Sequence, residues 1–136
     1  MIKKILFLCM VLSTFVFGQN SFTTLTTKQV QEAIEKNVPI IDIRRAEEWD
    51  AYGVIKGSHK LTFFDRYGRY DINKWMKEFV KIVPTLDTKF ILVCAHANRS
   101  KVVANFLSKE LGYKNVNELE GGINYGWIDK GLKTVK

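Results

Sequence analysis

Cysteine is scarce in this 136-residue sequence: Cys9 and Cys94 are the only two. Such a count excludes a disulfide-stapled scaffold and a two-cysteine dithiol mechanism. With His59 and His96 the only histidines, too few soft ligands remain for a structural zinc site, so no metal is expected. Proline occurs twice, at Pro39 and Pro84, and no internal repeat or low-complexity stretch interrupts the chain. Nothing marks a linker between domains. Charge of one sign is never concentrated either: the formal net charge is +7, yet no five like charges run together. That scatter reads as a solvated surface rather than a nucleic-acid groove, although a mild attraction for small anions remains.

Long apolar runs are also missing, with one exception. Residues 5–17 carry no charge and follow Lys3 and Lys4. This is the pattern of a signal peptide, and the run is shorter than the ~20 residues of a membrane-spanning helix. Residues 1–18 are read as the signal, with Val16 and Gly18 preceding a cut ahead of Gln19. Cys9 lies inside the run behind Phe7 and Leu8, which argues against lipidation. The expectation is an exported protein, periplasmic or secreted, with no stable membrane anchor and one domain over 19–136. Loss of Lys3 and Lys4 lowers the net charge from +7 to +5, and loss of Cys9 leaves Cys94 alone in an oxidising compartment. A free thiol there is either buried and inert or used.

The remaining pattern alternates helix and strand. Thr26 or Thr27 caps a helix to about Lys36 with Val30, Ala33 and Ile34 on one face, and Pro39 then introduces an apolar strand over 40–43. A short helix through Glu47, Glu48 and Trp49 ends near Gly53, and 61–64 reads as a brief strand. Asp71 caps a helix in which Ile72, Trp75, Met76, Phe79 and Val83 recur at spacings of three and four, stopped by Pro84. That stripe is core. Strand 90–93 precedes a helix whose inner face is Val102, Val103, Phe106, Leu107 and Leu111, closed by Gly112. A strand over 116–119 leads into Gly121-Gly122, a tight turn, and a last helix carrying Trp127. The sum is an α/β fold, a central mostly parallel sheet with helices on both faces. Ligands in such folds sit beyond the carboxyl ends of strands, beside helix amino termini.

Cys94 falls at that place. It follows strand 90–93, and a helix beginning near Ser100 leaves residues 94–99 as the connecting loop. Amides of a loop curling onto a helix amino terminus converge on an anion, here the thiolate itself, and Arg99 adds a fixed positive charge. The thiolate is the nucleophilic form of cysteine.

Three separated blocks resemble the rhodanese-like sulfurtransferases, and together they cover nearly all of residues 19–136. Ile41-Asp42-Ile43-Arg44 with Glu48-Trp49 is similar to the family's D-x-R block, and Ile55-Lys56-Gly57-Ser58 to its I-x-G-A turn. Cys94-Ala95-His96-Ala97-Asn98-Arg99-Ser100 resembles the C-x-x-G-x-R-S active loop. Leu111-Gly112-Tyr113, Asn115-Val116 and Leu119-Glu120-Gly121-Gly122 resemble the L-G-Y-x-N-V and L-x-G-G ending. The resemblance implies a rhodanese-like fold and sulfur transfer through a Cys94 persulfide. Ala95, His96, Ala97, Asn98, Arg99 and Ser100 then bind the substrate, and Asp42 and Arg44 brace the loop. The implied partners are a small sulfur-containing anion such as thiosulfate, a thiol, or a protein acceptor, and no cofactor is implied.

The sequence departs from the pattern at several positions. Ala97 stands where the family has glycine, which costs about 1 kcal/mol if that residue has positive φ. Ala95 occupies a position often basic in thiosulfate-using relatives, Val54 replaces a histidine, and four residues separate Gly122 from Trp127 where three are expected. Blander readings stand beside the functional ones: an inert core cysteine, an exposed His96, a structural His59, and Arg99 as a loop brace. Two rival functions follow. One is a non-catalytic persulfide carrier or partner-binding module. The other is a phosphatase, whose related loop has five residues between cysteine and arginine against four here.

Overall fold

The computed structural model describes residues 21–136. The reading of residues 1–18 as a signal lies outside them. Five short strands form one sheet in the order β1-β5-β4-β2-β3, every neighbouring pair parallel. They are β1 (Thr23–Leu25), β2 (Ile40–Asp42), β3 (His59–Lys60), β4 (Phe90–Val93) and β5 (Val116–Leu119). Between them run α1 (Thr27–Glu35), α2 (Ala46–Tyr52), α3 (Ile72–Ile82) and α4 (Asn98–Asn105), and α5 (Gly122–Gly126) follows β5. No helix among the described residues is long and apolar enough to cross a membrane.

The helix starts follow from local chemistry. Thr26 and Gln29 close a reciprocal capping box on α1, and the Asp71 side chain accepts from the Lys74 amide at the start of α3. Strand alternation then divides the core in two. Phe90, Leu92 and Cys94 point to one face, where Trp75 and Phe79 of α3 and Val103 and Ala104 of α4 cover them with Leu107. Ile91 and Val93 point to the other, against Val30 and Ala33 of α1, Ile123 of α5, and Trp127. β4 is therefore buried on both sides, as its unbroken apolar run requires.

Several expectations need correction. Residues 61–64 form no strand: the ladder with β2 is confined to His59–Lys60, although the Leu61 and Phe63 amides still donate to Asp42 and Ile43 carbonyls. The Phe63 ring turns away into an aromatic cluster with Trp75 and Tyr70. Val102 is 59% exposed and Leu111 36%, so neither belongs to the inner face of α4. A wider π turn over Phe106–Glu110 shifts the helix phase after Asn105. Strand β1, rich in threonine and three residues long, had no apolar run to announce it. α4 begins at Asn98, two residues before the expected start, which shortens the loop after Cys94.

Candidate active site

Three residues, Cys94 to His96, and the cap Ala97 carry the chain from β4 to α4. Ala97 sits at φ +67°, ψ 1°, in the left-handed region, and is buried. An L-residue with a Cβ pays for that conformation, so the strain anticipated from the alanine is present. The turn reverses the chain so that the first turn of α4 faces the Cys94 side chain. The Ser100 amide donates to Cys94 Sγ at 3.3 Å, and the thiol Sγ lies 3.4 Å from Ser100 Oγ, to which it donates. A ring of several amides closing on the sulfur was expected; Ser100 is the only residue whose amide does so among the described residues. The amides of residues 95–99 meet no acceptor among the described residues.

The sulfur is covered. Cys94 is 1% exposed and Ser100 fully buried, while Ala95 and Arg99 are half-buried and His96 and Asn98 are exposed. α5 fixes the loop from the second side: the Ile123 and Asn124 amides donate to the Cys94 and Ala95 carbonyls at 2.8 and 3.0 Å. Gly122 makes this approach possible, because a Cβ there would lie 2.4 Å from the Ala95 carbonyl oxygen. At the rim, His96 packs on Tyr125 with ring centroids 4.7 Å apart, and its Nε2 lies 3.2 Å from Asn124 Nδ2.

Two ion pairs frame the loop. Arg44 and Asp42 are both fully buried and joined by a 2.7 Å contact, and Arg44 Nη2 also donates to the Gly53 carbonyl at 2.8 Å. This pair ties the end of β2, opposite Val93, to the end of α2. Arg99 makes a bidentate pair with Glu48 at 2.6 and 2.9 Å, linking α4 to α2. Burial pushes the Glu48 carboxyl up, but hydrogen bonds from Arg99 and the Arg45 amide outweigh it and hold it at about 2. The same hydrogen bond raises Arg99 further above its ordinary value. Arg99 is thus committed to Glu48 and stands near the sulfur as a positive charge rather than as an arm over the loop.

One residue of the site was missed in the sequence. Glu118 on β5 is fully buried and accepts from Ser100 Oγ at 3.2 Å through Oε2. Its Oε1 accepts from Thr24 Oγ1 at 2.5 Å and from Lys101 Nζ. The signal was available: a glutamate in a strand covered on both faces must be paired. No group of three or more histidine, cysteine, aspartate or glutamate side chains among the described residues is placed to hold a metal ion.

A single sulfur held between a strand end and a helix start, on a wholly parallel sheet covered on both faces, defines a class of one-cysteine α/β domains. The particular family is shown by its model: the Rhodanese-like domain matches residues 26–129, and the chain belongs to that family. It is similar to the thiosulfate sulfurtransferase GlpE of Tolumonas auensis, 28% identical over 79% of this chain and 90% of the relative. Among solved structures it resembles a protein of unknown function from Rhodopseudomonas palustris described as a possible tyrosine phosphatase. That likeness has a TM-score of 0.60 and 28% identity and covers 85% of this chain and 86% of that one. The polysulfide-sulfur transferase homodimer of Wolinella succinogenes shares the fold, with a TM-score of 0.64 and 22% identity over 85% of this chain and 79% of that one.

Proposed function

We propose that the protein is a sulfurtransferase that moves sulfane sulfur from an anionic donor to a thiophilic acceptor through a Cys94 persulfide. The supporting observation is the placement of Cys94 Sγ at the end of β4, facing the first turn of α4 with the Ser100 amide 3.3 Å away. The thiolate attacks the outer sulfur of the donor, a new S–S bond forms, and the donor leaves with the electron pair of the bond that breaks. For thiosulfate the leaving group is sulfite. An acceptor thiolate or cyanide then attacks the outer sulfur, and Cys94 leaves as thiolate. The unpartnered amides of Ala95, His96, Ala97 and Asn98 are suited to hold the outer, negatively charged sulfur. Exposed at the rim of the loop, His96 is the candidate contact for a donor anion. Thiosulfate and polysulfide are the donors named for the Tolumonas and Wolinella proteins. The reading of residues 1–18 as a signal places the activity outside the cytoplasm.

The alternative to an enzyme, a persulfide carrier, draws on one observation, the 1% exposure of Cys94, which slows turnover with acceptors in solution. The phosphatase reading is weakened by the bidentate pairing of Arg99 with Glu48, which commits the guanidinium to a carboxylate instead of a phosphate. Mass spectrometry after exposure to thiosulfate or polysulfide tests the proposal, with Cys94→Ser alongside. A mass gain of about 32 Da on the wild type alone is expected, and its absence overturns the reading. Turnover with added thiol or cyanide separates enzyme from carrier.

A further inference from the structure

Glu118 has no part in the chemistry just described, yet it is joined to the reactive sulfur by an unbroken line of hydrogen bonds. Cys94 Sγ donates to Ser100 Oγ at 3.4 Å, and Ser100 Oγ donates to Glu118 Oε2 at 3.2 Å. The order of donation carries the argument. Because the Ser100 hydroxyl gives its hydrogen to the carboxylate, it offers the sulfur only a lone pair. That suits a thiol and not a thiolate.

We infer that Glu118 takes up the Cys94 proton through Ser100, so that its buried carboxylate acts as a positioning residue that delivers a hydrogen-bonded thiolate at the start of sulfur transfer. The proton balance is closed within the three side chains. The S–H bond of Cys94 breaks as an O–H bond forms on Ser100 Oγ, and the former hydroxyl hydrogen of Ser100 passes to Glu118 Oε2. Each bond in the line then reverses direction: Glu118 donates to Ser100, and Ser100 donates to the sulfur. Negative charge moves from carboxylate to sulfur without entering or leaving the protein.

The charges around the pair suit this exchange. α4 brings Lys101 onto Glu118 Oε1 and Arg99 towards Cys94, and Asp42 stands at the end of β2 beside β4. β1 contributes the neutral Thr24, and the titratable residue of α5, Tyr125, packs on His96 at the rim. Lys101 is 46% exposed on its side chain and the carboxylate wholly buried. Lys101 thus sets one screened cation beside a line that carries a single negative charge, on the carboxylate before the exchange and on the sulfur after it.

The inference rests on Cys94 being the nucleophile, and its test reads the proton directly. At about pH 7, infrared difference spectra should show a protonated-carboxyl band in the wild type alongside the thiolate ultraviolet absorbance. Cys94→Ser, with no thiolate to pass on a proton, should lose both signals. Glu118→Gln should lose the band and form persulfide about tenfold or more slowly at about pH 6. Thiolate absorbance in the wild type with no protonated-carboxyl band overturns the relay, as does a band that survives Cys94→Ser. If Glu118→Gln does not fold, the comparison of wild type with Cys94→Ser decides. Absence of the persulfide adduct with the band retained sinks the transferase reading and leaves the relay standing.

Discussion

Phe90, which opens β4, and Cys94, which follows its last residue, lie only four residues apart and sit in opposite materials. At its start, Phe90 meets Phe79 edge-on at 5.2 Å, and Tyr113 lies 5.3 Å from the same Phe79 ring, with Trp75 stacked on it at 4.7 Å. At its far end, Cys94 is surrounded by Ser100, Glu118 and the strained Ala97, with the Asp42–Arg44 pair close by. The aromatic end is held mainly by buried apolar area, a non-directional attraction to which the ring contacts add. The polar end is held by hydrogen bonds that must each find a partner and a fixed geometry. One strand thus joins a region that supplies stability to one that stores cost for chemistry.

Substitutions at each end should separate the two. The largest effect is expected at the aromatic end: Phe79→Ala should lower the unfolding free energy by about 3–5 kcal/mol, read from urea unfolding. The fraction that stays folded should still accept sulfur on Cys94. A folded Phe79→Ala protein that takes up none would mean that the two ends are not separable.

A smaller and opposite effect is expected at the polar end. Ala97→Gly removes the Cβ from a residue at φ +67° and should raise the unfolding free energy by about 1 kcal/mol. Unchanged or lower stability would show that the loop carries no strain there.

The smallest effect belongs to the Glu48–Arg99 pair at the margin of the site. The folded Glu48 carboxyl, at about 2, lies below its ordinary value of 4.5. Its contribution is therefore present above about pH 4.5 and lost as pH falls through about 2. Partial exposure limits it to about 1 kcal/mol or less. Glu48→Gln should cost that amount near neutrality and nothing near pH 2, measured as the difference between the two unfolding curves; a cost that persists at pH 2 would assign the residue a packing role instead.

Much of this contrast was legible in the sequence. The three- and four-residue spacing of Trp75, Met76 and Phe79 marked the aromatic face, and Asp71 and Thr26 announced their helices, because caps and stripes are local patterns. Cys94 was placed by its position after an apolar strand. Glu118 was passed over because Val116–Leu119 was read only as a strand, and its partners Thr24, Ser100 and Lys101 come from two other elements. β1 was invisible for a related reason: its place beside β5 is set by the sheet and not by its own three residues. The phase shift that exposes Leu111 came from the π turn, a feature that no residue pattern specified.

The contact of Gly122 with the Cys94–Ala95 carbonyls bears on the order of events during biosynthesis. The loop is pinned by amides from a segment made well after the cysteine itself, so a nascent or truncated chain ending before Gly121 contains the sulfur without its housing. Only when the last part of the polypeptide docks do the Cys94 and Ala95 carbonyls gain the Ile123 and Asn124 amides, so the loop reaches its final shape late.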